Sequence, residues 1–155
     1  MKETIVSPEK IKILFLCTGN SCRSQMAEAW TRHLKADRIE PYSAGVDPKG
    51  VDPRAVRAMA EAGIDISGQV SKSIDDLGIF EFDYVITLCD NAREACPFFP
   101  AVTRVFHAGF DDPPRLAAGA AGEEEAMTHY RRVRDEIGKF VETLPDALEG
   151  AGNNG

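Results

Sequence analysis

No stretch of this 155-residue sequence approaches the length of a membrane span or of the apolar core of a signal peptide. The first ten residues, MKETIVSPEK, are polar and charged, so the expected location is the cytoplasm. Positive charge is also short: 18 lysines and arginines face 25 acidic residues, leaving a formal net charge of -7. That balance argues against nucleic acid or an anionic membrane as a partner, and it obliges an anionic substrate to find a local positive site. Cysteine is sparse. Four residues in a reducing compartment fit catalysis or metal binding better than a static disulfide framework. Internal repeats are absent. What is present, 43% hydrophobic residues over this length, is enough for one domain with a real core, expected to be monomeric.

Ile11 to Trp30 reads IKILFLCTGNSCRSQMAEAW. Ile11, Ile13, Leu14, Phe15 and Leu16 form a near-continuous apolar segment, the pattern of a central parallel strand covered on both faces. It ends on Cys17. Thr18, Gly19, Asn20, Ser21 and Cys22 follow as a polar loop in which Gly19 and Asn20 take positive φ most easily, so that its amides are able to converge. Arg23 and Ser24 then open a helix with apolar positions at Met26, Ala27, Ala29, Trp30 and Leu34. Loop amides, the helix N-terminus and the Arg23 guanidinium together favour a tetrahedral oxyanion. The same field favours a thiolate at Cys17, the nucleophilic form of the side chain. The competing reading is a buried strand-end cysteine with an incidental arginine.

The first helix is expected to end near Ala36, and Arg38 to Ala44 to form a short strand before the turn-rich GVDPKGVDP. Asp52 as N-cap and Pro53 at the first helical position start a second helix, with Ala55, Val56, Met59 and Ala60 as its buried stripe and Gly63 as its stop. Residues 64–72 connect it to a short turn that Ser73 caps. Tyr84 to Leu88 form a third strand, which also leads into a cysteine, Cys89. Asp90 to Ala95 has helix-forming composition, limited by Pro97 and Pro100, and Thr103 to His107 is a short fourth strand. Leu116 to Gly122 reads as an Ala/Gly-rich linker, Glu123 to Leu144 as the last helix, and residues 145–155 as a disordered tail. The domain is thus placed at residues 11–144, behind an N-terminal extension of residues 1–10. Strands alternating with helices make an α/β parallel sheet, and right-handed crossovers bring the loops after Cys17, Cys89 and Phe106 to one edge.

That edge gathers the remaining chemistry. Asp111 and Asp112 in GFDDPP are available as proton donors to a departing oxygen, although an Asp-Asp-Pro sequence also serves simply as a turn. Cys89 and Cys96 lie seven residues apart. On a continuous helix that spacing leaves them ~10 Å apart, beyond the ~7 Å reach of a disulfide, so a bridge between them requires the segment to unwind. So short a helix is marginal in any case. A zinc site of Cys17, Cys22, Cys89 and Cys96 is the other arrangement, disfavoured by the lack of knuckle spacing and by the charge of Arg23. Cys22 reads as a packing residue. His33, His107 and His129 stand apart from other ligand types and read as surface or core side chains.

The stretch CTGNSCRSQMAEAW resembles the low-molecular-weight protein tyrosine phosphatase superfamily, in the form of its thioredoxin-coupled arsenate reductase branch, from about Lys12 to Leu144. The resemblance implies a single-domain, flavodoxin-like three-layer fold with a four-stranded parallel sheet in the order 2-1-3-4. It makes Cys17 the nucleophile and assigns oxyanion binding to Thr18, Gly19, Asn20, Ser21, Cys22, Arg23 and Ser24. Ser24 hydrogen-bonds the thiolate and Asn20 holds the loop in shape. The catalytic acid of the family precedes proline, a role that carries to Asp112, with Asp111 as the alternative. Cys89 and Cys96 match the branch's relay pair. Pro114 stands where the phosphatases commonly carry tyrosine, which turns the reading away from aryl phosphates.

The implied function is reduction of arsenate to arsenite through a Cys17 adduct and a Cys17/Cys89/Cys96 relay re-reduced by thioredoxin, with phosphate or sulfate as substrate analogues and with no organic cofactor or catalytic metal. Two alternatives stay open: a phosphatase with idle Cys89 and Cys96, and a non-enzymatic oxyanion or redox sensor. Several members of the branch bind potassium beside the loop through residues matching Asn20, Glu28 and Ser43 and through an aspartate whose position is Lys72 here. The expectation is that Lys72 takes the cation's place as loop support; the competing reading is an exposed lysine unrelated to the loop.

Overall fold

The apolar segment predicted to organise the chain is the central strand of the sheet. In the computed structural model, which describes residues 9–78, 81–97, 99–100 and 102–151, β1 (Ile11–Cys17) is flanked by β2 (Ile39–Gly45) on one side and β3 (Tyr84–Thr87) on the other. β4 (Arg104–His107) pairs with β3 and closes the order β2-β1-β3-β4, all parallel. Ile13, Leu14, Phe15 and Leu16 have no exposed surface, as a strand covered on both faces requires. Each such side chain contributes about 1.5–3 kcal/mol of burial free energy.

α1 (Arg23–Lys35), α2 (Pro53–Glu61), α3 (Asp90–Glu94), α4 (Pro113–Ala117), α5 (Glu123–Glu142) and α6 (Asp146–Ala151) cover this sheet, with a 3₁₀ turn at Asp75–Leu77. α5 packs against α1, α2 and α4, while α1 lies on β1 and β2. The fold class and strand order expected from the resemblance are therefore found. The caps read from the sequence are found as well: Asp52 precedes α2 and its carboxylate accepts from the Arg54 amide, with Pro53 at the first helical position.

Three expectations need correction. The buried stripe of α2 is Ala55, Ala58 and Met59, and Ala60 faces solvent. Leu116 to Gly122 is not simply a linker, because Leu116 and Ala117 complete α4, with Ala117 buried. Pro113 sits at the first turn, where its missing N–H costs nothing, and the alanines that follow are strong helix formers. The tail is ordered through α6: Leu148 is buried, and Arg38 pairs with Asp146 at 3.4 Å. A buried leucine gives the segment an apolar anchor that its polar composition hides. Most of the N-terminal extension (residues 1–8), Ile79, Phe80, Phe98, Ala101 and residues 152–155 lie outside the described residues.

Candidate active site

β1 delivers Cys17 to the edge of the sheet, and the loop that follows has an asymmetric hydrogen-bond inventory. Its carbonyls are all engaged. Those of Cys17, Thr18, Gly19 and Ser21 accept from the amides of Val46, Asp47, Lys49 and Asp52, at 3.1, 2.8, 2.9 and 2.9 Å. The Asn20 carbonyl accepts from Gln25 Nε2 at 3.0 Å, and the Cys22 carbonyl from the Met26 amide at 2.9 Å. The amides of Thr18 to Cys22, by contrast, donate to no group among the described residues. A loop that turns its acceptors away and keeps its donors free is built to receive an anion.

Asn20 is what holds that shape. Its φ of 47° places it in the left-handed region, and the residue is fully buried. Its Oδ1 accepts from the Lys72 amide at 2.9 Å and from Gln25 Nε2 at 3.0 Å, and its Nδ2 donates to Ser24 Oγ at 2.7 Å. With Oγ already accepting from Asn20, the Ser24 proton is free for Cys17 Sγ at 3.0 Å. Gly45 closes the cradle from below: a Cβ there would meet the Thr18 carbonyl at 2.6 Å and the Asn20 amide at 2.7 Å. The sequence reading missed Gln25 and Gln69. Gln25 is buried and bonds Asn20 twice and the Val70 carbonyl once, and Gln69 Nε2 donates to Gln25 Oε1 at 2.6 Å. The available signal was a glutamine on the packed side of α1, which needs polar partners once buried.

Beside the loop lies a cleft of about 500 Å³, lined among others by Thr18, Arg23, Cys89, Asn91, Phe110 and Asp112. Arg23 is held across it: Nη1 donates to the Phe110 carbonyl at 2.8 Å, and Nη2 lies 3.6 Å from Asp112 Oδ1. The two neighbouring aspartates differ. Asp111, also on the cleft wall, is paired with Arg132 at 3.0 Å. Asp112 occupies the N-cap position of α4 yet its carboxylate caps no amide, which leaves it facing Arg23 and the cleft.

Cys89 is the N-cap of α3. Its sulfur accepts from the Ala92 amide at 3.4 Å and lies 3.2 Å from Thr18 Oγ1, and Asn91 Nδ2 donates to that same hydroxyl at 3.0 Å. The second cysteine is thereby tied to the residue next to Cys17. All four thiols are free. Cys96, half-buried beyond the C-terminal end of α3, is absent from the cleft wall, and burial raises its pKa. Burial also pushes the Cys22 thiol well above the usual range, reinforced by the charge of Asp52. Cys22 is packed in the core, and its amide is one of the loop's donors left free among the described residues. No cluster of three His, Cys, Asp or Glu side chains is arranged to hold a metal ion among the described residues.

The residues matched to a potassium site come together, but their donor set is taken. Ser43 Oγ donates to Glu28 Oε1, and Lys72 Nζ lies 3.8 Å from that carboxylate oxygen. The ammonium also reaches Ser43 Oγ at 3.4 Å and the Val70 carbonyl at 2.9 Å. A cation already stands among these oxygens, so the site as built does not fit a second one.

Comparison with known proteins agrees with this geometry. Residues 12–152 match the family of low molecular weight phosphotyrosine protein phosphatases. An arsenate reductase of Bacillus licheniformis is 50% identical over 140 residues, spanning 90% of this chain and 99% of its own. An arsenate reductase solved in its phosphate-binding state superimposes with a TM-score of 0.69 at 33% identity, over 86% of this chain and 95% of its own. A thioredoxin-dependent arsenate reductase of Corynebacterium glutamicum gives a TM-score of 0.68 at 26% identity, over 94% of this chain and 65% of its own.

Proposed function

The chain belongs to the low molecular weight phosphotyrosine protein phosphatase family, and within that family we propose that it reduces arsenate to arsenite by a relay of thiols. The observation that carries this reading is the second thiol on the cleft wall: Cys89 Sγ, 3.2 Å from the Thr18 hydroxyl. Hydrolysis of a phosphate ester needs one nucleophile and one acid, and has no use for that sulfur.

The reaction begins with arsenate held by the free amides of the loop and by Arg23. The Cys17 thiolate attacks arsenic and an oxygen leaves as water, its proton supplied by Asp112. Cys89 then attacks Cys17 Sγ. The new S–S bond forms as the S–As bond breaks, and the electron pair passes to arsenic, which departs as arsenite. Cys96 attacks Cys89 and releases Cys17 as a thiolate, leaving a Cys89–Cys96 disulfide. A small dithiol protein of the thioredoxin kind restores both thiols, so the net change is one arsenate reduced per dithiol oxidised, with release of water. The protein is read as a cytoplasmic monomer. Phosphate has the shape and charge of arsenate, so weak phosphatase activity accompanies the main reaction.

A paired assay tests this. Arsenate-dependent oxidation of a thioredoxin system is expected, well above the hydrolysis of an aryl phosphate. Hydrolysis without arsenate turnover would make the chain a phosphatase, and neither activity would leave an oxyanion or redox sensor.

In the same reading Lys72 supports the loop in place of a metal. Its backbone amide braces Asn20 and its ammonium neutralises Glu28, so one residue couples the cradle to α1. Lys72→Ala keeps the amide and loses the charge; it is expected to weaken phosphate binding by roughly threefold to tenfold. Exchange of potassium for sodium at constant ionic strength should leave thermal stability and turnover of the wild type unchanged. A specific gain from potassium in either quantity would refute the assignment.

A further inference from the structure

The cleft is far larger than one tetrahedral anion, and its charges are unevenly matched. Three carboxylates line it, and each has a counter-ion. Asp112 faces Arg23 at 3.6 Å, Asp111 faces Arg132 at 3.0 Å, and Asp90 lies 3.5 Å from Arg93 and 3.3 Å from His107 Nε2. Arg115 lines the same cleft from the middle of α4, is exposed, and makes no ion pair or hydrogen bond among the described residues. Arg23 is buried to the extent that 12% of its side chain is accessible, and its guanidinium is occupied by the Phe110 carbonyl and Asp112. The positive charge that an approaching anion meets first is therefore that of Arg115.

We propose that Arg115 is the capture residue of this site, a guanidinium at the cleft mouth that draws a small dianionic oxyanion from solvent and passes it inward to Arg23 and the loop amides. On a chain of net charge -7 the far field repels such a substrate, and within about a Debye length a single uncompensated cation decides the local sign. The anchoring is also suitable. Pro113 and Ala117 on either side are buried, which fixes the backbone of α4 while the arginine side chain stays free to follow the anion. The proposal rests on oxyanion binding by the loop and is independent of the relay.

The test uses the reduced full-length protein and inorganic phosphate as the probe, with arsenate turnover as a second readout. Arg115→Gln is expected to slow phosphate association about fivefold at low ionic strength, to flatten its dependence on salt, and to raise KM for arsenate with kcat nearly unchanged. Arg115→Lys should restore most of the loss, and Arg115→Glu should deepen it to about twentyfold or more. A purely structural arginine on α4 would give no salt dependence and no rescue by lysine. Phosphate association in Arg115→Gln with the wild-type rate and salt slope would overturn the proposal. If phosphate behaves as expected while arsenate is not turned over, the relay fails and the capture role stands.

Discussion

Cys17→Ser should abolish arsenate reduction and phosphate-ester hydrolysis alike, by a factor on the order of 10⁴ or more, because in the proposed mechanism both reactions begin with attack by this one sulfur. Its hydroxyl replacement keeps the contact to Ser24 but is not ionised at neutral pH. The other two cysteines separate the reactions. Cys89→Ser leaves the cradle, Arg23 and Asp112 in place, so ester hydrolysis should survive, while arsenate stops at the Cys17 adduct. Cys96→Ser should permit one arsenite per protein and then stall as a Cys17–Cys89 disulfide, since no thiol remains to free Cys17. The measurement is a single-turnover count of arsenite beside steady-state turnover with thioredoxin, for each variant. Multiple turnover by Cys89→Ser at the wild-type rate would remove the relay altogether, and loss of ester hydrolysis in that variant would mean that Cys89 shapes the cradle as well. Cys22→Ala serves as the control: a neutral, buried thiol of packing function predicts full activity.

How legible the site was depended on how local its physics is. β1, the loop and the start of α1 are contiguous, and their roles follow from apolar run, loop residues and helix opening within twenty positions of sequence. The N-cap role of Asp52 is equally local, a carboxylate reaching the amide two residues on. The different surroundings of Asp111 and Asp112 were not legible from the residues alone, because what separates them is Arg132 on α5, which pairs with Asp111. Gln25 and Gln69 are less legible for a similar reason: a glutamine on the packed side of α1 signals a need for polar partners, but the long-range ones, the Val70 carbonyl and the Gln69 side chain, lie some 45 residues away and are not specified locally. Arg115 is distinguished only by having no counter-ion among the described residues, and that is a property of the assembled cleft. α4 and α6 were obscured by alanine, glycine and proline, residues that the linker reading weighs by composition and that the fold uses by position.

The remaining prediction concerns α3, where the proposed relay would have to move the backbone. In the reduced protein five residues are helical, Asp90–Glu94, with the Arg93 amide bonded to the Cys89 carbonyl at 3.1 Å and the Ala95 amide to the Asn91 carbonyl at 2.9 Å. A Cys89–Cys96 bridge brings its Cα atoms within ~7 Å, whereas a continuous helix between them holds these ~10 Å apart. The expected result is that the bridge opens the helix. Little opposes this: a single turn is marginal by itself, and within it only Ala92 is buried. Opening also withdraws Asn91 from the Thr18 hydroxyl, so that the oxidised cradle loses one of its neighbours and should bind phosphate more weakly than the reduced one. Hydrogen exchange at Arg93 and Ala95 should accelerate by about tenfold or more on oxidation, while amides of β1 and α5 hold their protection in both states. Cys96→Ser, which is unable to form the bridge, should keep slow exchange at Arg93 and Ala95 under the same oxidising treatment. Equal protection of these amides in the reduced and the bridged protein would refute the unwinding. The half-buried position of Cys96 agrees with such a motion, since burial raises its pKa and loosening of the segment relieves that cause. The resolving step should accordingly quicken with rising pH, as the thiolate fraction of Cys96 grows.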